Sequence, residues 1–167
     1  MDFQKDLLAE YDREVGLTRK MLEAIPADAD FSYKPHPKSM SLGRLGGHLT
    51  DFTGEWALNT LQKDKMEYAA DHKWEAYVPA SKAAMLEKFD SGAPQVRAAI
   101  AAVTPEKWDA KWQFIFGGIT YVDEPRRGVF RSMVLSHMIH HRAQLGVYLR
   151  LLDRPIPGTY GPSADGM

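Results

Sequence analysis

Apolar residues recur three and four positions apart along four stretches of this chain, and that spacing commits a chain to helices that each bury one face. In the first stretch Phe3, Leu7, Leu8, Tyr11, Val15, Met21, Leu22 and Ile25 fall on one side of a helix. Pro26 ends it, and PADADFSYKPHPKSM reads as a connecting loop. Ser41 caps a second helix, SLGRLGGHLTDFTGEWALNTL, with a stripe of Leu45, Leu49, Phe52 and Trp56. Gly43, Gly46, Gly47 and Gly54 each cost it up to about 1 kcal/mol of helix propensity, so packing must hold the segment together. Small residues there also let helices approach closely.

Ser81 opens a third helix through Ala84, Met85, Phe89, Val96, Ile100 and Val103, and Gly92 and Pro94 predict a kink in its middle. Thr104 and Pro105 suit the start of a short helical turn. Residues 62–80 have poor periodicity and read as a long connection with short helical turns. KWQFIFGGITYV, β-branched and aromatic around Gly-Gly, predicts a short hairpin on the edge of the bundle. Pro125 fits the first position of a last helix that runs to about Leu152 and stops at Asp153 and Pro155. The tail PIPGTYGPSADGM is turn-rich and is expected to lie over the surface. The expected fold is an all-α four-helix bundle, one domain over residues 1–167, with long connections and a short β-hairpin before the last helix.

A chain of 167 residues can bury a core without a staple, so a metal here would serve function before folding. The absence of cysteine excludes disulfides, Cys-type zinc fingers, iron–sulfur clusters and a protein thiolate nucleophile. A formal net charge of −1 gives no bulk attraction to nucleic acid or to an anionic membrane surface. The start, MDFQKDLLAEYDREVG, lacks the layout of a secretory signal, and no apolar run approaches the roughly 20 residues of a membrane span. The cytoplasm is the expected compartment.

The core stripe of the last helix runs from Phe130 through Val134, His137, His141, Leu145 and Tyr148 to Leu152, so two histidines stand where a bundle ordinarily puts leucine. Residues four apart share a helix face, close enough for two imidazoles to meet one ion. Spacing alone is weak, since six histidines in 167 positions give about 0.2 such pairs by chance. Position strengthens it: burying a neutral imidazole costs free energy unless its nitrogens find partners, and a shared metal satisfies one nitrogen of every ligand. For either histidine alone, a hydrogen-bonded core residue is the better reading. His48, beside the inward stripe of the second helix and preceded by Gly46-Gly47, supplies a third member, and the three together point to one divalent metal ion. Imidazoles suit zinc, and also nickel, iron and copper.

Met138 follows His137 where a His-Glu-x-x-His protease carries its general base, and the Glu-x-x-His pairs of di-iron bundles are absent. His36 and His72 fall in loops and read as solvated; helix geometry turns His140 away from the ligand face, toward a structural or interface role, with support of a ligand or contact with substrate as the alternative. Arg142 and Gln144 could orient a substrate, fix an imidazole or pair with acids on a neighbouring helix, and pairing is the preferred role of both. Asp51 and Glu55, one and two turns after His48, could support a ligand or move a proton, or could simply be solvated. No catalytic residue is identified.

Three elements, the Gly-His of GGHLTDF, the block SHMIHHRAQL and the closing PGTYGPSAD, resemble the damage-inducible DinB-like superfamily, which includes low-molecular-weight thiol transferases and relatives of maleylpyruvate isomerase. The resemblance spans most of the chain. It implies a four-helix bundle, often a homodimer, with one metal on three histidines that align with His48, His137 and His141. Family members often carry Gly between the Arg and Gln of the His-Arg-x-Gln run, where this chain has Ala143. The expected function is an enzyme whose metal lowers the pKa of a small thiol cosubstrate for attack on an electrophile. Two alternatives stand beside it: a metal-dependent hydrolase that uses the same ligands, and a non-catalytic metal-binding stress-response protein.

Overall fold

In the computed structural model, residues 3–166 are described, and Met1, Asp2 and Met167, the ends of the expected domain, lie outside them. The order of elements is α1 (Phe3–Glu23), α2 (Leu42–Asp51), α3 (Glu55–Gln62), β1 (Lys65–Tyr68), α4 (Lys82–Ala102), α5 (Pro105–Asp109), β2 (Lys111–Phe116), β3 (Ile119–Pro125), α6 (Arg126–Phe130), a π-helical segment (Arg131–Ser136) and α7 (His137–Leu151). The caps are where the sequence puts them. Ser41, Ser81 and Thr104 accept the backbone N–H of Arg44, Ala84 and Lys107, three residues on.

Helix α1 packs against α4 and α7, and α2 packs against the same two. Leu7, Leu22, Leu45, Phe89 and Leu145 are buried together in the resulting core. Gly92 of α4 allows the closest approach, because a Cβ there would overlap the carbonyl oxygen of Thr53. The Thr53 backbone belongs to a break that the sequence reading missed. The expected single helix from Ser41 to Leu61 is two, α2 and α3, separated at residues 52–54. The N–H groups of Thr53 and Gly54 turn back to the carbonyls of Thr50 and Asp51, a turn that seats the segment against α4. By contrast, α4 runs continuously through Pro94.

The expected all-α fold is corrected by a mixed three-stranded sheet, in the order β1-β2-β3. Strands β2 and β3 pair antiparallel across Gly117-Gly118, and β1 adds to β2 in parallel. Strand β1 lies inside the stretch read as an unstructured connection. Its partner is more than forty residues away, so no local periodicity announces it. Pro125 closes β3 and is the N-cap of α6, one position before the first helical residue. Beneath the sheet Met66, Trp112 and Val129 form a second buried cluster.

Arg126 ties this cluster to the helices. Fully buried, it donates to the carbonyls of Thr60 and Lys63 at 2.6 Å each and to Asp64 Oδ1 at 2.7 Å, closing the open C-terminal carbonyls of α3. Among the described residues no helix is long and apolar enough to cross a membrane.

Candidate metal centre

Two helices bring the three histidines to one point. His48 sits in the last turn of α2, and His137 and His141 lie at the start of α7, which packs on α2. One ring nitrogen from each histidine lies within 4.8 Å of the others. His137 Nε2 and His141 Nε2 are 2.9 Å apart, and the His48 ring centroid is 4.6 Å from that of His141 and 5.3 Å from that of His137. Metal–nitrogen lengths of about 2.0–2.1 Å put tetrahedral donors roughly 3.4 Å apart. The cluster is near that spacing, and side-chain torsions can absorb the difference.

Each ring is also held from behind. His48 Nδ1 meets Asp51 Oδ2 at 3.0 Å, and His141 Nδ1 meets Gln144 Oε1 at 2.7 Å. The His137 ring is hydrogen-bonded to the Met133 backbone. A carboxylate, an amide oxygen and a carbonyl are acceptors, so each ring can donate one N–H outward, and the neutral tautomer that does so keeps its other nitrogen as a lone pair. Lone pairs that face one another repel, and a cation between them removes the repulsion. This donor set fits one divalent ion, with every ligand oriented by a second group.

Burial supports the same protonation. His141 is only 5% exposed; desolvation pulls its pKa to about 4, with the neighbouring His48, His137 and His140 adding to the fall against the pull of Gln144. Burial likewise lowers His137, helped by His48 and His140, while the Met133 hydrogen bond opposes. Both rings are therefore neutral and ready to coordinate near neutral pH. Phe52, fully buried, supplies part of this dry wall; its ring is 5.0 Å from that of His137 and stacked at 6.2 Å on that of His141.

The π-helical segment ends where His137 begins. Such segments are rare and frequently sit at functional sites, because their wider turn re-aims the residues that follow. Here the Met133 carbonyl inside it accepts the Trp56 indole N–H at 3.0 Å, linking α3 to the backbone behind His137.

The other residues singled out in the sequence separate. Asp51 and Gln144 reach the cluster directly. His140 is exposed but not remote, with its ring 4.9 Å from that of His141 and its Nε2 3.1 Å from Gln144 Nε2. The expected turning away of His140 is thus incomplete, since Gln144 spans the two histidines. Glu55 is exposed in the first turn of α3, where it accepts from Asn59 at 3.3 Å. Arg142 turns from the cluster to α1 and pairs with buried Glu14 at 2.8 Å. His36 and His72 are exposed; His36 Nδ1 accepts from the Lys38 N–H, and His72 packs on Tyr68 and Trp74.

Trp56, Met133 and Glu14 went unrecognised as supporting residues. Glu14 and Thr18 carried a signal, since both stand at core spacing from Tyr11 yet are polar, which demands a buried partner. Nothing local marks Met133.

Residues 10–145 match the model of the DinB superfamily. A DinB-like protein from Bacillus cereus ATCC 10987 has a similar structure, with TM-score 0.65 and 21% identity over 92% of this chain and 95% of that one. A DinB-like protein from Bacillus subtilis is similar too, with TM-score 0.66 and 21% identity over 92% of this chain and 97% of that one. At such identity the likeness carries the fold. No curated protein matches the chain. The family match spans most of the sequence, and the chain belongs to the DinB superfamily.

Proposed function

We propose that this DinB superfamily protein is a metal-dependent enzyme in which His48, His137 and His141 hold one divalent ion and the site activates a small thiol, or water, for attack on an electrophilic substrate. One observation carries this function: three imidazoles from two helices each bring a nitrogen within 4.8 Å of the others, while Asp51, Gln144 and the Met133 backbone occupy the rings from outside. A divalent ion bound there would supply Lewis acidity and lower the pKa of a thiol or water presented to it. The chain itself orients the rings, keeps His137 and His141 neutral through burial, and closes the inner side with Phe52. Having no cysteine, it takes any thiol nucleophile from a cosubstrate. Zinc, nickel and iron all suit three imidazoles.

The same proposal extends to one domain built on a four-helix bundle and to a homodimer in solution, which light scattering would read directly. Turnover tests the function. Protein stripped with a chelator and reloaded with zinc, nickel or iron is assayed on a panel of electrophiles with glutathione, bacillithiol, mycothiol or coenzyme A. Conjugation that requires metal and is lost in His48→Ala is the expected result. Turnover without any thiol would favour the hydrolase, and metal binding without turnover the non-catalytic protein.

A further inference from the structure

Among the described residues the fold buries two arginines fully and gives each a carboxylate, Asp64 for Arg126 and Glu14 for Arg142. Arg44 is treated differently. It is half-buried, and its Nη1 is sealed from solvent without any acceptor. An unpaired buried donor is costly, more so when it carries charge, and such groups in native structures call for an explanation.

Its place in α2 gives one. Arg44 stands one turn before His48, on the same side of the helix. On one flank is Gly47, where a Cβ would overlap the Tyr77 carbonyl oxygen, so the connection between β1 and α4 lies against the helix there. On the other flank are His48 and Phe52, whose rings meet those of His137 and His141 on α7. At 100° per residue, Arg44 and Asp51 fall between these two walls. Asp51 is engaged with His48 Nδ1. Arg44 therefore stands on the same side of α2 as His48 and Asp51, with a donor to spare.

We infer that Arg44 binds the anionic end of the small molecule brought to the histidines, and that this molecule carries a carboxylate. The inference rests on the metal-site function proposed above and names its substrate class. The parallel N–H donors of one guanidinium match the two oxygens of a planar carboxylate, a pairing that also sets orientation, so the other end of the molecule points toward His48.

The test uses full-length protein loaded with cobalt(II) and two thiols of equal size, 3-mercaptopropionate and 3-mercaptopropanamide, titrated while the visible cobalt spectrum is followed. The preference for the carboxylate over the amide is compared between wild type and Arg44→Gln, so that differences in thiol acidity cancel. The wild-type preference is expected to exceed that of Arg44→Gln by about tenfold or more. Amide binding and cobalt uptake should be equal in the two proteins, and Arg44→Lys should keep part of the preference. A preference unchanged by the substitution, or a spectrum that neither thiol perturbs, overturns the inference. Cobalt uptake that is absent, or that survives in His141→Ala, is a separate outcome that defeats the metal site and this inference with it.

Discussion

Replacing Arg142 with Met removes a cation whose side chain is 3% exposed, facing a Glu14 side chain 1% exposed. Arg142 donates to Glu14 Oε2 at 2.8 Å, to the Glu14 carbonyl at 3.1 Å, to Thr18 Oγ1 at 3.2 Å and to the Tyr160 hydroxyl at 2.6 Å. That hydroxyl in turn donates to Glu14 Oε2 at 2.6 Å, closing a ring that fastens α7 and the C-terminal tail to α1. Removing one partner of a buried pair strands the other charge and costs about 3–5 kcal/mol. For a chain of this size the melting temperature should fall by roughly 6–20 °C. The double variant Glu14→Leu with Arg142→Met strands no charge and should recover most of the loss. Burial by itself raises the Glu14 pKa, but hydrogen bonds from Tyr160, Arg142 and Arg13, with the Arg142 charge, bring it below the ordinary carboxyl value. A carboxyl so depressed stabilises the fold above its unfolded pKa and stops doing so as pH falls through the folded one. The gap between wild type and Arg142→Met should therefore narrow in acid. Circular dichroism melts at several pH values, with metal content measured on the same samples, make the assay. Because Arg142 faces α1 and not the histidines, bound metal should be unchanged below the melt. A variant that melts within a few degrees of wild type, or a folded one that has lost its metal, would refute the reasoning.

Three other substitutions probe the cluster and its surroundings. The folded His141 pKa is about 4 against 6.5 unfolded, so metal-free protein should lose stability as pH falls through that window, by about 3 kcal/mol at most. Urea unfolding should show a shallower pH slope for His141→Gln, and equal slopes would count against the assignment. Trp56→Phe deletes the indole donor to Met133 and should weaken metal binding about tenfold or more through His137; chelator competition measures this, and unchanged affinity would mean that the contact only packs α3. Gly47→Ala pushes a methyl into the Tyr77 carbonyl and should cost about 1–3 kcal/mol, with an unaltered melting temperature as the contrary result.

Local rules carried much of the fold. Ser41, Ser81 and Thr104 mark helix starts by a mechanism that acts over three residues, and the caps are observed there. The stripe on the last helix was legible for the same reason, as was the approach of His48, whose helix has an apolar face that must turn inward. What failed was non-local. The pairing of Lys65–Tyr68 with Gln113–Phe116 depends on a partner far along the chain, and the break after Asp51 seats against Gly92 of another helix. The π-helical turn before His137 has no repeat of its own, so the stripe from Phe130 to His141 was followed as if the helix were uniform. The supports of the site divide likewise: Asp51 and Gln144 sit three residues from the rings they hold, while Trp56 acts from 77 residues away through the Met133 backbone.

The metal content of untagged protein and of its His141→Ala variant, measured side by side by elemental analysis, tests the site most directly. Three imidazoles whose nitrogens lie within 4.8 Å of one another predict close to one equivalent of a divalent metal in the wild type and its loss in the variant. Equal metal in both proteins, or none in either, would contradict the account.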